Sequence, residues 1–192
     1  KHYGVEVVGI TISKEQAKLA RERNGDLPIE IRLQDYRELN ETFDAIVSIG
    51  MFEHVGPKNY KEYFKVAYRS LKEKGLFLMH TIGDNETTSS ANPWVTKYIF
   101  PNGVLPSIAN VGKPIENKFV VEDLHSFGSY YDTTLMAWYD NFNKHWDELK
   151  SEQYNERFKR MWHFYLLSCA GGFRARYIQL WQFVLSKNVR KI

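Results

Sequence analysis

Strand-like and helix-like segments alternate along the first 80 residues, and this alternation restricts the fold more than any other feature of the sequence. Helical spacing begins at Ser13 and again at about Asn59, whereas residues 43–49 are almost continuously apolar, as in a parallel strand buried on both faces. The pattern predicts an α/β protein with a mostly parallel, Rossmann-like sheet whose ligands bind at the carboxyl ends of the strands. The predicted order is strand 5–11, helix 13–23, strand 29–33, strand 43–49, helix 59–71 ending at Gly75, and strand 76–79 leading into His80.

The second half of the sequence departs from this alternation. Residues 84–125 contain Pro, Asn, Gly and Ser with scattered aromatic residues, and the segment is too long for a plain connection. We interpret residues 83–130 as an inserted lid or substrate element within a single, partial domain of residues 1–192. Helices are predicted at 131–149 and 154–169, and a last strand at 177–186.

The glycines of the sequence do not provide a nucleotide-binding turn. None of the 12 forms the G-x-G-x-x-G pattern that normally follows the first strand of such a sheet. Residues 1–4 instead have the character of the end of the helix after that strand. We therefore expect the chain to enter the fold at what is usually the second strand, without the first strand and its glycine-rich turn.

The composition is that of a globular chain, with 43% apolar residues among 192 and a formal net charge of +3. No apolar run approaches the roughly 20 residues needed to cross a bilayer, so we expect a soluble, cytoplasmic protein. Cys169 is the single cysteine, and no Cys and His cluster has the spacing of a zinc site. Basic and aromatic residues mix over positions 156–165, which suits either an anionic surface or, as is usual for charge runs, a solvated helix face.

Polar segments follow the first two predicted strands and are candidates for binding a cofactor. The first ends a strand where a helix begins at Ser13, so that backbone N–H groups and the Gln16 side chain can meet a ribose. The second offers the Asp35 carboxylate to an adenine amino group and the Tyr36 ring for stacking. Either segment can equally be only a cap or a turn. The candidate cofactor residues are Thr11, Ile12, Gln16, Gln34, Asp35 and Tyr36.

Three ionisable side chains follow the next two strands. Glu53 and His54 come after the strand at 43–49, and His80 comes after the following strand, so we expect them near one crevice and suited to acid–base chemistry. A metal site is the competing interpretation. It is disfavoured because adjacent residues on one turn point in different directions and no i, i+4 His pair accompanies them. A lone His is also commonly a structural residue.

The longer motifs are Gly9-Ile-Thr-Ile-Ser13 with Gln16, Leu33-Gln-Asp-Tyr-Arg37, Ser48-Ile-Gly-Met-Phe-Glu-His-Val-Gly-Pro-Lys-Asn-Tyr60, His80-Thr-Ile-Gly83, Lys97-Tyr-Ile-Phe-Pro-Asn-Gly103, Phe127-Gly with Tyr131-Asp-Thr-Thr-Leu-Met-Ala-Trp-Tyr139, and Gly172-Phe-Arg-Ala-Arg176 with Gln179-Leu-Trp-Gln182. Together they resemble the cyclopropane-fatty-acyl-phospholipid synthase family, a relative of the mycolic acid cyclopropane synthases. The match extends over nearly the whole chain, and the motifs occur in the order of the family.

This resemblance implies an S-adenosylmethionine-dependent class I methyltransferase that forms cyclopropane fatty acids. The methyl group of the cofactor is transferred to a cis double bond of a phospholipid acyl chain, a proton is lost, and a three-membered ring closes. The resemblance also implies that a bound bicarbonate ion accepts the proton. The residues similar to its holders are Glu53, His80, the backbone at Ile82, and Tyr131. Those that correspond to the lining of the acyl channel are Trp94, Tyr98, Phe100 and Tyr139.

The same resemblance implies a partner, unsaturated phospholipid at the membrane surface. We accordingly expect a protein that is peripheral to the inner membrane and homodimeric, without a nucleic-acid partner. Family members add a cysteine from an N-terminal segment to the bicarbonate site; Cys169 is not its substitute, because it lies in a late helix and has the character of a structural thiol. Two alternatives stay open: an acyl-chain methyltransferase that closes no ring, and an inactive fragment.

Overall fold

The computed structural model describes residues 2–149 and 151–188. Strands and helices alternate through this part of the chain, and single turns of 3₁₀ helix lie at Tyr36–Glu38 and Pro57–Asn59. In chain order the elements are β1 (Val7–Thr11), α1 (Lys14–Asn24), β2 (Ile29–Leu33), β3 (Phe43–Ile49), α2 (Phe52–Val55), α3 (Tyr60–Ser70), β4 (Leu71–Asp84), α4 (Pro93–Tyr98), α5 (Ile108–Ile115), β5 (Phe119–Ser126), α6 (Gly128–Lys144), α7 (Trp146–Leu149), α8 (Glu156–Arg174) and β6 (Ile178–Lys187).

The strands form two sheets. β1 and β2 pair in parallel, and the larger sheet has the order β3-β4-β6-β5. β3 is parallel to β4, whereas β6 is antiparallel to both β4 and β5. Therefore β3, β4 and β5 run in one direction, and β6 is reversed between two of them. The predicted α/β class is confirmed, and so is the parallel pairing of β1 with β2 and of β3 with β4.

The N-terminal part follows local sequence signals closely. The Ser13 side chain accepts a hydrogen bond of 3.3 Å from the backbone N–H of Gln16 and so caps α1, as the sequence predicts. Residues 2–6, in contrast, form no helix, and Lys1 lies outside the described residues. The interpretation of residues 2–4 as a helix end is therefore wrong.

The boundary between α3 and β4 differs from the prediction. α3 ends at Ser70 and β4 begins at Leu71, so Gly75 lies inside the strand rather than at a helix end. A Cβ atom at this glycine would lie 2.7 Å from the carbonyl oxygen of Asp44 at the start of β3. Gly75 thus permits a close approach of two strands, and the helix ends without it.

β5 is the strand that the sequence does not predict. It lies within the segment interpreted as an inserted element, yet it forms an edge of the larger sheet, where Phe119 pairs with Lys187 and Ser126 with Trp181. Beyond Phe119 its residues are exposed, and Glu122 and Asp123 interrupt its apolar character. An edge strand that is exposed on both faces lacks the apolar–polar alternation by which strands are recognised in a sequence.

β3 is more exposed than its apolar sequence indicates. Val47 and Ile49 are 63% and 67% exposed, which contradicts the expected burial of this strand on both faces. β3 pairs with β4 on one side only, and no strand among the described residues lies between it and β1. Val47 and Ile49 share one face of β3, and it is this face that the described part of the chain leaves exposed.

Two apolar clusters cover the two faces of β4. On one face Phe77 and Met79 pack against helices α3 and α5. On the other face Ile82 packs against a cluster contributed mainly by α6 and α8. β4 therefore presents alternate residues to two different layers. The residues at every second position from Ile82 face α6 and α8. Within residues 2–149 and 151–188, no helix combines the length and apolar character that a bilayer span requires.

Candidate active site

The two candidate cofactor segments lie side by side at the carboxyl end of the smaller sheet. The backbone N–H of Gln34 donates to the carbonyl oxygen of Thr11 over 3.0 Å. The Thr11 hydroxyl in turn donates to the side-chain oxygen of Gln16 over 2.8 Å, while Ile12, which joins β1 to α1, is exposed. Parallel pairing of β1 with β2 thus brings the polar residues of both segments to one edge.

Asp35 is held as a carboxylate by its neighbour Arg37. The Arg37 Nε and backbone N–H both donate to Asp35 Oδ1 over 2.9 Å, and Nη2 donates to Oδ2 over 2.6 Å. Hydrogen bonding from the guanidinium lowers the pKa of Asp35, so the group is ionised at neutral pH. Each carboxylate oxygen can accept a further donor. Next to it, the Tyr36 ring packs edge-on against Tyr63 at a centroid distance of 5.8 Å.

Glu53 is a buried carboxylate at the end of the larger sheet. The chain turns sharply at Gly50, whose φ of +63° is in the left-handed region that favours glycine, and its N–H donates to the His80 carbonyl over 3.0 Å. This turn places α2 over the end of β4. Glu53 is only 7% exposed, and its Oε1 accepts a hydrogen bond of 2.7 Å from the backbone N–H of Ile82.

The second oxygen of Glu53 is buried and accepts no hydrogen bond from any described residue. Burying a carboxylate oxygen without a donor is costly, and such an atom in a folded protein calls for an explanation. The arrangement suits a small guest that carries a hydrogen-bond donor.

His80 and Tyr131 approach Glu53 from two different elements. His80 lies two residues before Ile82 on β4 and so shares its face, where its ring is 5.4 Å from that of Phe127. Tyr131, on the first turns of α6, packs with Ile82 in the second apolar cluster. Burial raises the pKa of Tyr131, with smaller contributions from Glu53 and Cys169, so its hydroxyl stays protonated at neutral pH. The structure therefore gathers Glu53, His80, Ile82 and Tyr131 around one end of β4.

His54 does not belong to this group, and its predicted place in the crevice is wrong. Its side chain is exposed and its ring contacts Phe100 at a centroid distance of 5.6 Å. Glu53 and His54 point in different directions from α2, as expected of adjacent helical residues. Among the described residues, no three His, Cys, Asp or Glu side chains are arranged to hold a metal ion.

The four aromatic candidates for substrate binding lie near or against α8. Trp94 is 5.4 Å from Tyr98 and 4.6 Å from Phe164, and Phe100 is 6.1 Å from Tyr165, measured between ring centroids. Tyr139 instead contacts His163 at 4.9 Å, on the α6 side. These contacts on α8 are three successive residues, so their side chains leave the helix in three different directions.

Sequence reasoning missed the contribution of α8 to the site. Tyr165 and Cys169 lie one turn apart on this helix and join Tyr131 in the second apolar cluster. Burial raises the pKa of the Cys169 thiol to about 11 and raises the pKa of Tyr165 still more strongly. Their i, i+4 spacing is the available signal, because it puts both on one helix face.

The reversed β6 between parallel neighbours, with polar residues at the carboxyl strand ends, defines a Rossmann-like sheet of the class I methyltransferase type. Solved structures of this class superpose on nearly the whole chain. The cyclopropane synthase MmaA2 of Mycobacterium tuberculosis matches with a TM-score of 0.85 at 30% identity, over 97% of this chain and 71% of that one. The mycolic acid cyclopropane synthase CmaA1, complexed with SAH and CTAB, matches with a TM-score of 0.84 at 31% identity, over 97% and 71%.

The chain belongs to the mycolic acid cyclopropane synthetase family, whose pattern it matches over residues 1–183. Among its relatives is the cyclopropane-fatty-acyl-phospholipid synthase of Escherichia coli strain K12, which is 58% identical over 98% of this chain and 49% of the relative. A probable fatty acid methyltransferase of Pseudomonas putida is 32% identical over 97% of this chain and 50% of the relative. The chain thus spans about half the length of these two relatives.

Proposed function

We propose that this chain is the catalytic part of a protein that converts cis double bonds of unsaturated phospholipid acyl chains into cyclopropane rings, with S-adenosylmethionine as the cofactor. Family membership and the 58% identity to the Escherichia coli synthase support the proposal. The observation that carries it is the buried Oε2 of Glu53, which has no donor among the described residues. This oxygen lies beside Tyr131 and the face of β4 that bears His80. A weak alkene nucleophile needs a site that is dry, aromatic and equipped to remove one proton.

The proposed cofactor site is the edge formed by the carboxyl ends of β1 and β2. The Gln16 side chain and the exposed backbone at Ile12 would hold the ribose, and the ionised Asp35 would accept from the adenine amino group. The Asp35 side chain is 26% exposed, so its carboxylate stays accessible to this extra donor. When bound, S-adenosylmethionine supplies the electrophilic methyl group. The proposed set is Thr11, Ile12, Gln16, Gln34, Asp35 and Tyr36.

The proposed proton-accepting site is an anion site formed by Glu53, His80, Ile82 and Tyr131. A bicarbonate ion fits the free Oε2 of Glu53 because its hydroxyl can donate to that oxygen. His80 and the protonated Tyr131 would donate to the other oxygens of the ion, which would serve as the base. The Ile82 N–H already donates to Glu53 Oε1, so in this arrangement it orients the carboxylate.

The proposed acyl site lies among the aromatic side chains next to this anion site. Aromatic faces stabilise a carbocation-like acyl chain, and a chain bound among them would itself exclude water that would trap the cation. Phe100 reaches the second apolar cluster through Tyr165, and Tyr139 belongs to that cluster. We propose Trp94, Tyr98, Phe100 and Tyr139 as its lining, with residues 83–118 and 127–130 as the substrate element around β5.

Because the substrate chains are part of a bilayer, we propose that the protein works from the cytoplasm, peripheral to the inner membrane, and as a homodimer. Sedimentation of the complete protein with and without vesicles would test both statements. A protein that is monomeric and remains in the supernatant would contradict them.

Product analysis tests the reaction itself. The complete protein, S-adenosylmethionine and dispersed unsaturated phospholipid should yield cyclopropyl protons in the NMR spectrum of the released fatty acids, and saturated phospholipid should yield none. The relative named as a probable fatty acid methyltransferase favours one alternative, methylation without ring closure. Methyl-branched products without cyclopropyl protons would establish that alternative. Equal methylation of saturated lipid would contradict both.

A further inference from the structure

A surface groove of about 290 Å³ lies between α4 and the first half of α8. Its wall combines aromatic rings with two guanidinium groups, and it opens to solvent. We call it the α8 groove. It is lined by Trp94, Tyr98, Arg157, Arg160, Met161 and Phe164.

The α8 groove is positively charged. Arg157 and Arg160 are exposed, and neither forms a salt bridge with a described residue. Hydrogen bonding from Lys97, and to a lesser extent from Arg157, lowers the pKa of the Tyr98 hydroxyl, so both cations lie beside that ring. Glu156 precedes Arg157 in the sequence, but it is not part of the wall, and none of the described residues that line the groove is acidic. The groove therefore offers its positive charge to an anionic partner.

The same face of α8 also exposes large apolar side chains. Phe164 is 55% exposed and Leu167 is 43% exposed. With Arg157 and Arg160 they follow each other at intervals of three, four and three residues, so they form one stripe along the helix. Apolar side chains on a solvent-facing stripe beside exposed cations are typical of a helix that lies at a membrane interface.

The α8 groove is connected with the proposed acyl site. Trp94 contacts Phe164 in the groove, and Phe100, which follows α4, contacts Tyr165 on the next position of α8. Tyr165 belongs to the same buried cluster as Tyr131. Two successive positions of α8 therefore contact aromatic rings, Phe164 in the groove and Tyr165 beside the cluster that contains Tyr131.

We propose that the α8 groove and the exposed stripe of α8 dock the protein on an anionic phospholipid bilayer. Arg157 and Arg160 bind lipid phosphates, and Phe164 and Leu167 enter the boundary between headgroups and acyl chains. The inference rests on the proposed function, because it assigns the surface through which that substrate is reached. Leu167 favours a bilayer over nucleic acid, since an aliphatic side chain offers no face for base stacking.

The test is sedimentation of the complete protein with phosphatidylglycerol vesicles, without cofactor, so that binding is read independently of turnover. The double variant Arg157→Ala, Arg160→Ala should bind on the order of tenfold more weakly and depend less on salt. The matched control is Lys61→Ala, Lys113→Ala, which removes the same charge from a different groove of the surface and should bind like the wild type. Thermal melting verifies that all variants are folded.

A second pair of residues tests the apolar part. Phe164→Ser with Leu167→Ser should weaken vesicle binding while leaving its salt dependence unchanged, because no charge is removed. Equal binding by wild type and both α8 variants would overturn the docking surface, as would equal losses in the lysine control. Tighter binding to a single-stranded oligonucleotide than to vesicles would also overturn it. Vesicle binding that persists without any alkene turnover would instead contradict the proposed function.

Discussion

The backbone N–H of Ile82 donates a 2.7 Å hydrogen bond to Oε1 of Glu53, and Oε2 of the same carboxylate is buried without a donor among the described residues. One oxygen is thus fixed by the strand, and the other is available to whatever enters the site. Fixing a carboxylate through one oxygen restricts its rotation, so that a guest meets a preorganised acceptor.

Replacing Glu53→Gln or His80→Ala in the complete protein should slow turnover by roughly 10²- to 10⁴-fold, the usual range for general base catalysis. Glutamine keeps the shape but can put an amide donor where Oε2 accepts, and alanine removes the ring that would hold the anion. Cofactor affinity, measured by calorimetry, should remain nearly unchanged, and added bicarbonate should partly restore the rate.

The control for these variants is Glu62→Gln, which changes a partly exposed glutamate of α3 and should retain wild-type turnover. Wild-type rates in both site variants would contradict the assignment. A loss of cofactor binding in proportion to the loss of rate would contradict it as well.

Cys169 provides a prediction about pH. Because burial raises its pKa from 9.0 to about 11, the thiol is protonated in the folded protein at pH 8. Two pKa units reduce the thiolate fraction about 100-fold, so alkylation of Cys169 should be roughly that much slower in the native than in the unfolded protein. Mass spectrometry of the Cys169 peptide measures both rates.

The sign of the related stability effect is fixed by the same shift. A raised pKa in the folded state means that folding favours the neutral thiol. The contribution of this thiol to the free energy of unfolding is therefore present below about pH 9 and is lost as pH rises through about 11. Rapid alkylation of native Cys169 at pH 8 would show that the thiol is not desolvated as the structure has it.

Helices and strands that carry a local sequence signal are predicted correctly. The Ser13 cap marks the start of α1, apolar–polar alternation locates β2, and an apolar run locates β3, each at the residues where the structure has it. β5 escapes prediction because its pairing with β6 joins residues more than 50 positions apart and its exposed residues show no alternation. The prediction at Gly75 is wrong because glycine is favoured both at helix ends and where two strands approach closely, and the sequence does not distinguish the two cases.

The residues of the candidate site are predictable from the sequence only in part. Strand ends indicate Glu53 and His80, but spacing alone does not separate Glu53 from His54, which the structure directs toward Phe100. Tyr131 is found only through the family resemblance, since it reaches the site by the packing of α6 on β4. Such a contact between distant elements depends on tertiary packing and has no local signature.

Asp35→Asn should weaken cofactor binding by roughly tenfold, because the charged acceptor of the proposed adenine contact becomes neutral. Asparagine keeps an oxygen for the backbone N–H of Arg37, so the turn should persist. Calorimetry on the complete protein measures the affinity, and turnover at saturating cofactor should be close to that of the wild type. Asp26→Asn, an exposed change on the loop before β2, is the control. Unchanged affinity in the Asp35 variant would remove this residue from the cofactor site.

Gly83→Ala should destabilise the fold, because a Cβ atom at this position in β4 would overlap the ring of Trp181 on β6. Overpacking of this kind costs about 1–3 kcal/mol, and a strand interior leaves little room for relief. Gly112→Ala is the matched control: apart from its chain neighbours and the backbone of its own helix, no described atom lies within 4 Å of the added Cβ, and alanine in helix α5 should stabilise by up to about 1 kcal/mol. Urea unfolding of the complete protein measures both. Adding Trp181→Phe to Gly83→Ala removes the overlapping ring and should recover part of the loss, whereas a Gly83→Ala variant as stable as the wild type would contradict the close packing of β4 against β6.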